Sequence, residues 1–287
     1  MRILVTGGSG KLGRAVVADL VAHGHEVLNV DVVQPAERSA AFLEADLQDF
    51  GEVLEAIAGV DLSGPSQAVV HLAATPAPGR RSNARTFKNN IVGTYNVFEA
   101  CRRLAVRNVV YASTEIIFGL PFDTPPAYLP LDEDAPARPE SAYGLSKLLA
   151  EEMAEQFCRW DPELKLFGLR LSNVQSPEDY ANFAGFQERP EERRWNLWGY
   201  VDARDAAKAV RLALECPRTG AEVFTIANAE TTQALANTEL VGRCFPGIEL
   251  PEGLGDTETL LSIDKARRIL GYEPDHHWWS EPGTPSV

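Results

Sequence analysis

Cysteine is scarce in this chain. There are four in 287 residues, Cys101, Cys158, Cys216 and Cys244, and none forms a CxxC pair. Such spacing argues against a disulfide framework and a thiolate metal site, and reads as free thiols of a cytoplasmic protein. Histidine is sparse too, five residues without zinc-type partners at ligand spacing, so no metal is expected. No apolar run approaches the length that spans a bilayer, which argues against a membrane protein. Positive charge is in deficit: 27 Lys and Arg against 41 Asp and Glu give a net charge of −14. A cationic groove for nucleic acid would have to be built against that field, so no nucleic-acid partner is expected. No signal-like leader precedes the first strand pattern, so Met1 is expected to start the folded domain.

What is present reads as an ordinary globular composition, 45% apolar and 24% charged. Short apolar runs at Arg2–Thr6, Glu26–Val30, Ala68–Leu72, Asn108–Ala112 and Leu164–Leu171 predict strands. Helical patterns near Leu12–His23, Phe50–Ala58, Arg81–Leu104 and Ala142–Trp160 alternate with them. The alternation predicts an α/β fold, a Rossmann doubly wound parallel sheet, with a ligand crevice at the carboxyl ends of the strands. After residue 172 the pattern changes. "SNVQSPEDYANFAGFQERPEERRWNLWGY" reads as polar, aromatic and loop-like. A helix (Ala203–Glu215), a strand (Glu222–Ala227) and helical patterns at Gln233–Cys244 and Ile263–Leu270 follow. The expected organisation is a dinucleotide-binding domain over 1–172, a small C-terminal substrate lobe over 173–275 interleaved with it, and a fraying tail over 276–287.

The first strand runs into "TGGSGKLG", with glycines at Gly7, Gly10 and Gly13, and Gly8, Gly10 and Gly13 also fit GxGxxG. Glycine permits a tight turn and close backbone approach, and the following helix N-terminus favours phosphate. The turn either holds a ligand or is a tight corner, and the strand before it and helix after it favour a dinucleotide. Asp31 stands at the end of the next strand, where a carboxylate accepts both ribose hydroxyls of NAD and repels a 2′-phosphate. Gly7, Gly10, Lys11, Leu12, Gly13, Asp31 and Val32 are the candidate pyrophosphate and ribose contacts, and NAD is the expected cofactor, although the cations Lys11, Arg14 and Arg38 lie near enough to soften the choice. Tyr143 and Lys147 lie at i, i+4 on a predicted helix, so both side chains share one face. A phenol has a pKa near 10. A neighbouring ammonium and an oxidised nicotinamide would favour tyrosinate, able to exchange the proton of a carbinol.

In order, "TGGSGKLG", Asp46-Leu47, "VVHLAA", "NNIVGTYNVFEA", "YASTEIIFG", "YGLSK", "LRLSN" and "YVDARDAA" resemble the extended short-chain dehydrogenase/reductase family. That group includes nucleotide-sugar epimerases and dehydratases, and the resemblance covers residues 1–275. It implies that Asp46 bonds the adenine amino group, that Leu47 lines that pocket, and that Leu72, Ala73 and Ala74 pass along the cofactor. It implies that Thr114 holds the reacting oxygen beside Ser113, which would touch substrate, and that Asn90 supports the network behind Lys147. Asn90 also reads as a helix N-terminal cap.

Two departures stand out. A dehydratase places an acid and then a Glu after the catalytic Thr, whereas this chain has Glu115 and then Ile116, which can act as neither acid nor base. Glu115 is either substrate-facing or a solvated loop carboxylate. Secondly, only Val174 to Gly199 separates Asn173 from "YVDARD". The nucleotide-sugar enzymes carry a longer insertion there, and short-lid members such as uronate dehydrogenase are similar to this chain. By that similarity Arg193, or Arg194, would hold a sugar carboxylate with Asn173 nearby; the alternative is solvated charge. Asp202, Arg204 and Asp205 read as structural residues at a helix start. The expected function is NAD-dependent oxidation of a carbinol of a sugar, sugar acid or polyol. The alternatives are a nucleotide-sugar 4-epimerase and a non-catalytic NAD-binding sensor. The family's usual dimer helices, Arg81–Leu104 and Ala142–Trp160, imply a homodimer.

Overall fold

The first strand explains how the sheet is built. In the computed structural model, which describes residues 1–60 and 64–280, β1 (Arg2–Thr6) lies between β2 (Glu26–Asp31) and β4 (Ala68–His71), with Ile3 opposite both Val27 and Ala68. β3 (Ala41–Glu44) adds outside β2, and β5 (Asn108–Thr114), β6 (Lys165–Leu171) and β9 (Gly220–Ile226) continue beyond β4. All seven strands are parallel, in the order β3-β2-β1-β4-β5-β6-β9. The direction of winding reverses between β1 and β4, and the crevice opens there at the strands' carboxyl ends.

Alternation along each strand feeds two cores. Ile3, Val5, Val70, Val110, Phe167 and Leu169 face α1 (Lys11–Ala22), α6 (Ala203–Glu215) and α8 (Asp264–Leu270). Leu4, Val69, Val109, Tyr111 and Leu166 face α2 (Phe50–Ala58), α3 (Asn83–Arg103) and α4 (Ala142–Trp160). A side chain as fully buried as Phe167 stabilises the fold by about 1.5–3 kcal/mol. α2 is set by local chemistry: Asp49 accepts from the N–H groups of Gly51 and Glu52, and Gly59 at φ 68° stops it. β9 comes from beyond residue 172 and still completes the sheet, while α1 and α6 lie side by side, joined by Arg211 Nε to Asp19 Oδ2 at 2.9 Å.

The structure differs from expectation in four places. β3 was not anticipated, because Ala41–Glu44 is a four-residue, half-exposed edge strand whose brief apolar run fits a helix as readily. The segment read as loop holds β7 (Val174–Gln175), a 3-10 turn over Pro177–Asn182, α5 (Phe183–Glu188) and a second 3-10 turn over Pro190–Asn196. Ser176 and Asp179 cap the first turn reciprocally. β7 pairs with β8 (Val201–Asp202) beside an aromatic cluster of Tyr180, Phe183, Tyr200 and Trp278. The tail expected to fray from 276 is instead pinned over its first residues. The Asp205 carboxylate accepts from the N–H groups of Asp275 and His276, and Trp278 is buried. Residues 281–287 lie outside the described part. α7 (Asn237–Cys244) starts later than the sequence pattern suggests.

Candidate active site

The glycine turn is closed by backbone alone. Gly7 adopts φ +73°, donates to Val30 O at 2.8 Å, and a Cβ there would stand 2.6 Å from Ala73 N. A Cβ on Gly13 would meet Gly7 O at 2.1 Å. Gly10 begins α1, and no side chain caps that helix, so its first turn keeps backbone donors and positive potential for a phosphate. Asp31 borders the turn, its Oδ2 accepting from Ser9 N at 3.1 Å and its Oδ1 from Val33 N at 3.2 Å; Val32 beside it is exposed. Lys11 Nζ reaches away from Asp31, to Asp179 Oδ2 at 2.5 Å across the mouth of the cleft.

The remaining residues expected along a dinucleotide are held by the same elements. Asp46 accepts from Gln48 N at 2.9 Å, and Leu47 O accepts from Asn96 Nδ2 at 2.8 Å. Leu72 N and Ala73 N donate to Thr6 O and Thr6 Oγ1, which aligns the strand end ahead of Ala74 with the glycine turn. His71, given no role in the sequence reading, is a strut of this layer. Its Nδ1 is hydrogen-bonded to Thr6 Oγ1 at 2.8 Å and its Nε2 to Thr94 Oγ1 at 3.1 Å. Burial first, and then the Lys147 charge, hold its imidazole down at about 3, so it is neutral.

Thr114 ends β5, and its hydroxyl, which accepts from Ile116 N at 3.2 Å, lies near enough to the Tyr143 phenol to influence its ionisation. Tyr143 and Lys147 lie one turn apart on α4, which Ser141 caps through Gly144 N. Lys147 Nζ donates to Ala112 O at 2.7 Å and stands 6.0 Å from the centroid of the Tyr143 ring. Burial lowers Lys147 to about 8 against a smaller opposing effect of Glu151. Burial raises Tyr143 to about 12; the nearby Thr114 hydroxyl acts to lower it and the Glu115 charge to raise it. Asn90 lies well inside α3, whose N-cap is Ser82, so it is not a cap. Its Oδ1 accepts from Thr75 N at 2.8 Å and its Nδ2 donates to Ser146 Oγ at 3.3 Å, which clasps the loop after β4 to the helix bearing Tyr143 and Lys147.

The polar residues farther along the cleft divide. Ser113, expected against a substrate, is buried and donates to Glu151 Oε1 at 2.5 Å on the α4 side of the sheet. Arg170 completes that group, with Nε and Nη2 on the two oxygens of Glu151. Glu115 is not solvated: it is 3% exposed, accepting from Ser172 Oγ at 2.6 Å and Asn196 Nδ2 at 3.4 Å. Burial pushes its carboxyl up to about 7, against the opposing pull of Ser172, Arg193, Asn196 and the Asn173 backbone. Arg193 is buried as well, its Nη1 on Asn173 Oδ1 at 3.1 Å and its Nη2 on Gly199 O at 2.8 Å. Arg194 turns elsewhere, to Phe122 O. Asp202 caps α6 and accepts from the Tyr180 hydroxyl at 2.7 Å. Sequence reasoning missed Glu151, Arg170, Ser172 and Asn196; only Glu151, one turn beyond Lys147, carried a visible signal. Among the described residues no cluster of His, Cys, Asp or Glu is arranged to hold a metal, and no helix is long and apolar enough to cross a membrane.

The sequence model of the NAD dependent epimerase/dehydratase family matches residues 3–227. The UDP-glucose 4-epimerase of Mycolicibacterium smegmatis is 30% identical, over 96% of this chain and 94% of its own. The UDP-glucose 4-epimerase of Thermotoga maritima, solved with UDP-glucose, superposes with a TM-score of 0.74 at 27% identity, covering 99% of this chain and 96% of that one. A short-chain dehydrogenase/reductase superfamily protein of Agrobacterium tumefaciens, solved with bound NAD, gives a TM-score of 0.74 at 25% identity, covering 97% and 94%.

Proposed function

The chain belongs to the NAD dependent epimerase/dehydratase family, and from that premise we propose that it uses NAD to oxidise a carbinol of a sugar, sugar acid or related polyol. The observation that carries this reading is the grouping of Thr114, at the carboxyl end of β5, with Tyr143 and with Lys147 one turn along the same helix, its Nζ 6.0 Å from the Tyr143 ring centroid. The residues fit a dinucleotide: the turn is closed to any side chain at Gly7 and Gly13, and α1 is uncapped. Gly7, Gly10, Lys11, Leu12 and Gly13 would hold the pyrophosphate, Asp31 and Val32 the adenosine ribose, Asp46 and Leu47 the adenine, and Leu72, Ala73 and Ala74 would pass along the rest. When bound, NAD supplies a nicotinamide that accepts hydride from the carbinol carbon.

Every other part of the chemistry falls to the chain. Thr114 donates to the reacting oxygen and orients it toward Tyr143. Tyr143 Oη takes the carbinol proton and returns it in the reverse direction. Its phenol is pushed up to about 12 in the protein alone, so deprotonation requires added positive charge, which Lys147 and an oxidised cofactor together provide. Lys147 has three donors and spends one on Ala112 O, which leaves two for the nicotinamide ribose and the phenol. Asn90 fixes the loop and helix on which these groups stand.

A second reading is a nucleotide-sugar 4-epimerase, favoured by the 30%-identical relative of that name and opposed by the short Val174–Gly199 segment. Absorbance at the NADH band with purified protein, NAD and a panel of uronates, aldoses and UDP-sugars separates the two. NADH accumulating with one sugar establishes the dehydrogenase, and an epimer by NMR without NADH establishes the epimerase. Bound NAD with neither signal on any carbinol overturns both in favour of a sensor. We further place the protein in the cytoplasm, consistent with its four free thiols. We expect a homodimer through α3 and α4, whose exposed Tyr95, Leu145 and Trp160 suit an interface. Light scattering that shows only monomer overturns the dimer.

A further inference from the structure

Beyond Thr114 a buried carboxylate, Glu115, and a buried guanidinium, Arg193, are linked through Asn196 Nδ2 and Gly199 O, and the proton chemistry uses neither. We propose that Glu115 is a specificity-determining residue: it balances the Arg193 guanidinium, so that the cleft accepts a neutral sugar or polyol and disfavours a sugar acid. This rests on the carbohydrate reading above and narrows it.

Glu115 follows Thr114 directly and accepts from Ser172, the residue after β6, so it lies at the carboxyl ends of β5 and β6, next to the reacting residues. Its oxygens are held by Ser172 and Asn196. The charged and titratable groups that face it are Arg193, from the 3-10 turn Pro190–Asn196, and Tyr143, from α4; Ser172, Asn173 and Asn196 are neutral. One negative and one positive charge therefore share a buried pocket with no excess of either sign.

Arg193 is also held in place. Its guanidinium carbon lies 4.8 Å from the ring centroid of Phe186 and 5.4 Å from that of Trp195, while Nη1 and Nη2 are already bonded to Asn173 and Gly199. Its Nε is buried with no partner and each Nη keeps a second N–H, so the charge of Glu115, not a shortage of donors, decides whether a carboxylate can approach. A sugar carboxylate brought to the guanidinium would sit beside Glu115, and two carboxylates in one buried site repel. Asn196 Oδ1 is likewise buried without a partner, an acceptor that suits a hydroxyl and not an anion.

The test is calorimetric binding of glucose and of glucuronate to the NAD-loaded protein, wild type and E115Q, at pH 6 and pH 8. Removing the charge should raise glucuronate affinity by about tenfold or more, the scale of one unfavourable charge contact, and leave glucose affinity within about threefold. In the wild type, glucuronate affinity should rise from pH 8 to pH 6 as Glu115 takes up a proton, while E115Q stays flat. The pH comparison needs no variant to fold. Glucuronate binding equally to both proteins at both pH values overturns the Glu115 assignment alone. Binding of neither sugar to either protein removes the carbohydrate reading, and the assignment with it. A shifted glucuronate-to-glucose ratio supports Glu115 as the selector whatever the NADH panel shows, so the two readings fail separately.

Discussion

Two glutamate–arginine–serine groups lie buried around the end of β5 and β6, and they differ in completeness. Glu151 accepts from Ser113 Oγ and from Nε and Nη2 of Arg170, whose Nη1 is spent on Glu133 O. None of its members is left without a partner. Glu115 accepts from Ser172 and Asn196 near Arg193, and there Arg193 Nε and Asn196 Oδ1 remain unpaired. A closed buried network rigidifies a scaffold, whereas an open one costs stability unless something else completes it. The residue types are nearly the same, and the unpaired atoms mark which group faces chemistry. Changes on the open side should therefore be read in catalysis and binding, and changes on the closed side in stability.

The largest expected effect belongs to the reacting side. Tyr143→Phe should lower kcat by about 10²–10⁴-fold, the usual share of a general acid–base, with the urea midpoint unchanged. A variant that loses activity only in proportion to lost folded protein would erase the distinction. On the closed side, Arg170→Leu strands Glu151 at a site where both side chains are under a tenth exposed, and should cost about 3–5 kcal/mol of unfolding free energy. Leu at both positions should restore much of that. An unmoved denaturation midpoint for the single change would show that the closed group is not a scaffold.

A smaller effect separates two buried titrating groups by sign. Glu115 is held at about 7 against 4.5 for a free side chain, so below 7 the folded chain keeps a proton that the unfolded chain has released. Its contribution to stability is full below 4.5 and is lost as pH rises through 7. His71 is held at about 3 against 6.5, so its contribution is present above 6.5 and is lost as pH falls toward 3. The two slopes oppose, each at most about 1.4 kcal/mol per pH unit. E115Q should thus lose stability on acidification from pH 6.5 to pH 5 more steeply than the wild type, and His71→Asn less steeply. Parallel urea midpoints for all three proteins would reject both assignments. The smallest effect is at the cleft mouth. The Lys11–Asp179 pair is partly exposed, so Lys11→Met should change stability by under about 1 kcal/mol, and a larger shift in the midpoint would show a tighter clasp than its exposure implies.

Legibility followed the kind of constraint. The glycine turn was readable because only glycine avoids a backbone collision at Gly7 and Gly13, so geometry wrote itself into residue identity. Tyr143 and Lys147 were readable because helical spacing puts them on one face. Ser113 was misplaced although period two was available: it shares the face of Tyr111 and is the register partner of Arg170, away from Thr114. The Val174–Gly199 segment was not readable, since short 3-10 turns have no periodicity and depend on side-chain caps such as Ser176 with Asp179. The Glu115 group lay hidden for another reason. Its members come from three separate segments, and nothing in the local pattern of any one tells of the others.

The sheet's two coverings are also unequal in time. A ribosome completes α2, α3 and α4 before it reaches β6, so one layer can close as the strands appear. The opposite layer waits for α6, and until then Val110, Phe167 and Leu169 lack their principal roof. At about 5–20 residues per second, the stretch from Leu171 to Leu214 takes on the order of 2–9 seconds to synthesise. For that interval the nascent chain is greasy on one side only, and a chaperone that shields apolar surface would meet it there.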